Sequence, residues 1–205
     1  MLCTADQIRN YLKSTLSVKR FLHCENVAST MSFLFDEFGP PTRGAESYEG
    51  MGVAEVVGLM HDAAREYSDE RIMQYVSEHR ILMPEEFSRV PVLAHGFVAH
   101  GMMQEMIGDV PSSWLSALDW HTTGSVTMGY VGMVLFVADF IEPGRRFLDD
   151  AQRKRYLSKG DLNIAASAIL DDMIAHWQSK GIVPSSSSVE LQRFLHDGNR
   201  IEKDR

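Results

Sequence analysis

The chain has 205 residues, of which 44% are hydrophobic, enough for one substantial core and in keeping with a single domain over residues 1–205. Its formal charge of -8 argues against the basic surface that nucleic acid or a membrane surface selects for, so an anionic ligand requires a local exception. Cys3 and Cys24 are too few for a disulfide framework, the N-terminus lacks a basic and apolar leader, and no apolar run reaches the ~18 residues of a membrane span, so the expected setting is the reducing cytoplasm.

Thr4-Ala5-Asp6-Gln7 is a capping-box pattern, and Ile8, Tyr11 and Leu12 follow at helical spacing, which predicts a short amphipathic first helix. A second helix starts at Ser17, sets His23, Val27, Met31 and Leu34 on one face, and stops at Phe38-Gly39-Pro40-Pro41. The stretch from Thr42 to Gly52 reads as a loop into an apolar helix that ends on His61-Asp62. Ser68 caps a further helix through Ile72 and Val76, Pro84-Glu85-Glu86 begins another, and the run from Val92 to Ile107 is helical in pattern. Ser112 or Ser113 caps a short helix that delivers His121, and Thr122 to Ser125 reads as a turn.

Met128 to Ile141 is the most apolar helix, stopped by Pro143-Gly144. Arg145 to Lys159 is charged and amphipathic. Asp161 then caps Leu162 to Lys180, whose apolar stripe includes Ile169, Leu170, Met173 and Trp177. Ser185 to Ser188 reads as a low-complexity linker before a last helix at Val189 to His196, and Asn199 to Arg205 as a frayed end. No run of period-two alternation occurs, so the expected fold class is all-α, a single compact helical domain with a core at about 17–147 and a helical C-terminal part at 148–205. The apolar C-terminal helix could serve a homodimer as well as a core.

Six residues set ligand chemistry into apolar sequence. Glu55 to Met60 leads into His61-Asp62 where patterning alone would place another Leu or Ala, His95 lies within Pro91 to Ala99, and His121 follows Trp114 to Trp120. Asp139 interrupts Val134 to Ile141, and His23 follows Phe21-Leu22. Burying an unpartnered carboxylate is expensive, so acids on core-facing helices imply pairing or metal coordination. A lone histidine on an apolar face is more often a hydrogen-bonded core residue, and His79, His100, His176 and His196 are read that way. The joint pattern separates the others. Imidazole and carboxylate donors without thiolate suit iron, manganese, zinc or magnesium. Shared between two ions with Asp62 as a bridge, they would form a dinuclear centre of the kind that activates water for in-line attack at phosphorus.

Arg20-Phe21-Leu22-His23, Gly58-Leu59-Met60-His61-Asp62, Leu93-Ala94-His95-Gly96, His121-Thr122-Thr123-Gly124 and Ala138-Asp139-Phe140-Ile141-Glu142-Pro143-Gly144-Arg145 occur in the order and spacing of the HD-domain metal phosphohydrolases. From about Ser17 to Phe147 the chain resembles the YqeK branch, the symmetrical diadenosine tetraphosphate hydrolases. The resemblance implies one metal at His23, His61, Asp62 and Asp139, and a second at Asp62, His95 and His121, with His61 and Asp62 as the catalytic pair. It further implies two divalent ions, iron expected and manganese or others as alternatives, and a dinucleoside polyphosphate substrate split into two nucleoside diphosphates. Arg20, Arg65 and Arg145 adjoin the motifs and are suited to bidentate phosphate contacts, while Arg146 fits a surface charge equally well.

Three positions depart from the family pattern. Arg65 stands where lysine is usual, which bears on substrate preference more than on metal binding. Cys24 replaces a serine and is read as packing. His100 lies at i+5 from His95 and should point away from the centre. Within hydrolases the alternative is another nucleotide phosphatase or nucleotidase; outside them, a di-iron oxygenase on the same fold or a nucleotide-binding regulator without catalysis.

Overall fold

The computed structural model describes residues 3–42 and 44–203, and these form ten α-helices and one minimal hairpin. Helices α1 (Ala5–Thr15) and α2 (Val18–Phe38) begin as their caps dictate: Thr4 and Gln7 exchange reciprocal bonds, and the Ser17 side chain accepts from Arg20 N. After α2 come β1 (Ser47–Tyr48), β2 (Met51–Gly52), α3 (Val53–Met60), α4 (Asp69–Glu78), α5 (His95–Ile107), α6 (Ser112–Trp120) and α7 (Gly129–Ile141). The C-terminal part holds α8 (Asp150–Leu157), α9 (Leu162–Ser179) and α10 (Ser186–His196). Among the described residues no helix is long and apolar enough to cross a membrane.

Helices α3 and α7 are apolar nearly all round and buried, as helices at the middle of a bundle must be. Around them α2 packs on α3, α3 on α6, α6 on α7 and α7 back on α2, a closed ring of four helices with α5 against α6. The α2–α3 approach is close because Gly58 has no side chain. A Cβ there would fall 2.5 Å from Ala28 Cα and 2.7 Å from its nitrogen. Helix α9 packs on α7, with α8 and α10 against it, so the C-terminal part shares a face with the central helix.

Several local expectations are corrected. The stretch from Thr42 to Gly52 is not all loop: Ser47 pairs with Gly52 and Tyr48 with Met51 across a turn in which Glu49 and Gly50 take positive φ, and Trp114 Nε1 anchors it by donating to Ala45 O. Pro84-Glu85-Glu86 starts only a 3-10 turn, Glu85–Ser88. The run from Val92 to Ile107 breaks, with a 3-10 turn at Pro91–Ala94 preceding α5, so His95 sits at a junction between two helical segments. Neither Ser112 nor Ser113 caps α6; Pro111 occupies that position without a side-chain bond. Of the stretch from Arg145 to Lys159, only Asp150–Leu157 is helical.

The serine run is not a linker. Ser185 caps α10 by accepting from Ser188 N, and Ser187 and Ser188 are buried in its first turn. Ser188 Oγ donates to Thr123 O at 2.6 Å, so α10 braces the turn that follows His121. The tail beyond it is also held as far as Lys203, residues 204–205 lying outside the described residues: Asn163 donates to Ile201 O and accepts from Ile201 N, and the Lys203 ammonium bonds Phe38 O and lies over the Tyr130 ring. Long-range polar partners of this kind leave no periodic trace in sequence. Ser188→Ala should strand the Thr123 carbonyl and lower stability by about 1–3 kcal/mol, seen in urea unfolding as a lower midpoint with an unchanged slope.

Candidate metal centre

The ligand candidates arrive at one point from five helical segments. His61, His95 and His121 share a local design. Each follows the last residue of a helical segment, and each turns its Nδ1–H back to the carbonyl three residues earlier, where a lone pair is free to accept it. The distances are 2.7 Å to Gly58 O, 2.6 Å to Val92 O and 2.8 Å to Leu118 O. His23 reaches the same state from mid-helix, with Nδ1 3.1 Å from Glu142 Oε1. A carbonyl or carboxylate can only accept, so the proton of each neutral ring sits on Nδ1 and the Nε2 lone pair faces inward.

The four Nε2 atoms meet in two pairs, His23 with His61 at 3.2 Å and His95 with His121 at 3.0 Å. With the protons on Nδ1, each contact sets lone pair against lone pair, an arrangement that a cation satisfies. The Asp62 carboxylate lies between the pairs. Its Oδ2 is 3.4 Å from His61 and 3.5 Å from His23, and its Oδ1 is 3.0 Å from His95 and 3.7 Å from His121. Asp139 Oδ1 is 2.9 Å from His23 Nε2 and 3.8 Å from His61 Nε2. Two groups have ligand atoms within 4.8 Å of one another: His23, His61 and Asp139, and His61, Asp62 and His121. All six residues therefore converge, and their nitrogen and oxygen donors suit a borderline divalent cation.

Close approach of α5 to α6 depends on Gly96, where a Cβ would collide with Leu118 O and come within 3.2 Å of the His121 ring. Burial opposes ionisation of Asp62, yet the surrounding His61, His121 and His95 hold its carboxyl well below the usual range. Asp139 is likewise depressed against the effect of burial, by His23 and by Arg145. For His95, burial wins over Asp62 and lowers the imidazole, which keeps it a neutral donor. His23 is raised despite burial because Asp139 and Glu142 both face it.

Arg20 and Arg145 reach the centre, Arg20 pairing with Asp62 Oδ2 and Arg145 with Asp139 Oδ1; Arg145 Nε also donates to Asp139 O at 2.8 Å. Arg65 lines the adjoining cleft but pairs with neither carboxylate among the described residues. Arg146 is exposed and outside the cleft. Cys24 is fully buried and burial pushes its thiol up, which leaves it protonated packing. His100 turns away to Asp119 at 2.8 Å. His79 and His196 are exposed and paired with Glu105 and Asp171, so they are surface rather than core residues, and His176 is an exposed wall of the cleft.

Two contributors escaped the sequence reading. Glu142 is almost wholly buried, accepts from His23, from Asn26 Nδ2 at 2.9 Å and from Gly144 N, and is held ionised by these donors against burial. Its signal was present, an acid at i+3 from Asp139 within the same motif. The other is the cleft of about 670 Å³ above the centre, whose outer wall includes Tyr156, Asp172, Met173 and Trp177. Of the apolar stripe of α9, Ile169 and Leu170 are buried in the core, whereas Met173 and Trp177 are half-buried, packing against that core and also lining the cleft.

No family model matches the chain. A curated relative from Bacillus subtilis (strain 168), named a symmetrical bis(5'-nucleosyl)-tetraphosphatase, is 29% identical over 155 residues, 75% of this chain and 77% of its own. One of the same name from Staphylococcus aureus is 27% identical over 203 residues, 97% of this chain and 98% of its own. A crystal structure from Clostridium acetobutylicum, described as a predicted HD superfamily hydrolase involved in NAD metabolism, superposes with a TM-score of 0.84 at 27% identity, covering 97% of this chain and 100% of that one. In fold and in the all-α order of its elements the chain is thus similar to an HD superfamily hydrolase. Within that class the chain is similar to the symmetrical bis(5'-nucleosyl)-tetraphosphatases.

Glu142→Gln keeps the shape of the His23 contact but removes its charge. It should weaken divalent-metal binding roughly 10–100-fold, measured by competition with a chromogenic chelator.

Proposed function

We propose that the chain is a divalent-metal-dependent phosphohydrolase that cleaves dinucleoside polyphosphates symmetrically, diadenosine tetraphosphate to two ADP. The observation that carries this reading is the pair of inward-facing imidazole couples bracketing one buried carboxylate, a donor arrangement for two cations with Asp62 between them. The names of the curated relatives supply the substrate class. We assign His23, His61, Asp62 and Asp139 to one ion and Asp62, His95 and His121 to the other, with iron the expected metal. When bound, such cations supply Lewis-acid stabilisation of phosphoryl oxygens and lower the pKa of water.

The protein's own side chains do the remaining work. Asp62 and His61 would hold the cations, the Asp62 carboxylate lying between the two imidazole pairs. Arg20 and Arg145 stand at the mouth of the centre, paired to Asp62 and Asp139, and their guanidinium groups turn to phosphoryl oxygens when substrate enters. Arg65, lining the cleft, extends this cationic strip along the phosphate chain. Together they make the local exception that an acidic chain needs in order to accept a polyanion. Thr122 Oγ1, 3.1 Å from His121 Nε2, adds a hydroxyl beside the reacting region.

Metal-replete protein should convert diadenosine tetraphosphate to ADP alone, resolved by ion-exchange chromatography; AMP and ATP in equal amounts would refute symmetrical cleavage. Asp62→Ala should abolish turnover and lower the metal content measured by elemental analysis, because it leaves two cation positions without their shared anion. Arg145→Ala should mainly raise KM, by about tenfold for one lost charge-assisted contact, with a smaller change in kcat.

A further inference from the structure

One wall of the cleft holds none of the candidate metal ligands or phosphate arginines. Phe140 near the end of α7, Phe147, Tyr156 of α8 and residues of α9 form it, and it presents aromatic rings, the His176 imidazole and one carboxylate. Phe140 meets Phe147 edge to face at a centroid distance of 5.4 Å and Tyr156 at 5.6 Å, a continuous aromatic corner. Phe147 is 59% exposed and lines the cleft. Asp172 lines it too, and its orientation is set: Tyr156 Oη donates to Oδ2 at 2.5 Å, and the Arg155 guanidinium lies 3.5 Å from the same oxygen. Oδ1 accepts no hydrogen bond among the described residues. A carboxylate repels a phosphate chain and attracts an N–H donor, so this wall suits the uncharged end of a nucleotide.

We propose that this wall is a base-binding subsite in which Phe147 stacks on a purine and Asp172 Oδ1 accepts a hydrogen bond from its exocyclic amino group. The proposal rests on the dinucleoside polyphosphate reading and names a residue that sets the base preference within it. Adenine presents a 6-amino donor to the carboxylate. Hypoxanthine presents a 6-keto oxygen, lone pair against lone pair, and is disfavoured. Stacking is tolerant of base identity, because every base has a π face, so Phe147 contributes affinity and Asp172 contributes selection.

The test compares kcat/KM for diadenosine and diinosine tetraphosphates, and calorimetric Kd for ADP and IDP, in metal-replete wild type, Asp172→Ala, Asp172→Asn and Phe147→Ala. Wild type should favour adenine by about tenfold, the value of one charge-assisted contact at a half-exposed site. Asp172→Ala should erase the preference. Asp172→Asn should invert it, since the Tyr156 hydroxyl keeps the amide oxygen and leaves the NH₂ group facing the base, a donor toward the keto oxygen. Phe147→Ala should weaken both nucleotides by roughly tenfold and keep the preference. A wild type without preference, or an Asp172→Ala protein that still discriminates, overturns the subsite and leaves the hydrolase reading intact. A wild type that cleaves no dinucleoside polyphosphate, yet binds ADP over IDP in an Asp172-dependent way, overturns the hydrolase reading and leaves the subsite standing.

Discussion

Everything at this centre follows from where the imidazole protons are held. Three histidines give Nδ1–H to carbonyls of their own chain at i−3, and the fourth gives it to a buried glutamate, so the four Nε2 lone pairs are directed at one another around Asp62. Without a positive charge between them, two such contacts near 3 Å are electrostatically unfavourable. The fold imposes this arrangement because the carbonyls used belong to the ends of helical segments, where lone pairs remain free to accept from a side chain. The ends of helices, and not their faces, therefore define the site.

That geometry places demands on the rest of the bundle. Segment ends from α3, α5 and α6 must meet the middle of α2 and the end of α7, which forces backbones closer than ordinary side chains permit. Gly58 and Gly96 meet the demand at two close crossings, against Ala28 and Leu118. The turn after His121 then needs support from outside the ring of helices, and the buried serines of α10 supply it. The C-terminal helices are thus braces of the centre as well as a wall of its cleft.

The electrostatics resolve an apparent conflict. An acidic chain is a poor host for a polyanion, and the two carboxylates at the centre are ionised in spite of burial. Arg20 and Arg145 offset them locally, in a cleft that is also lined by aromatic rings and one oriented acid. Charge of one sign is gathered where phosphate would lie, and a hydrogen-bond acceptor stands where phosphate would be repelled.

The all-α class, the order of most helices and the six inward-facing ligand candidates were legible in the chain, because helical periodicity, caps and polar residues within apolar runs are local signals. Short elements differ from expectation where local signals are weakest: a hairpin of two-residue strands, 3-10 turns at Pro84 and Pro91, and a serine run that caps and begins α10. Only the tertiary structure decided that Glu142 orients His23, that α10 braces the His121 turn, and that Asp172 and Trp177 face a cleft while Ile169 and Leu170 face the core. Those outcomes depend on partners far away along the chain. A helical stripe states that one face of α9 is apolar, but which part of that face meets another helix and which meets solvent is settled by what packs against it.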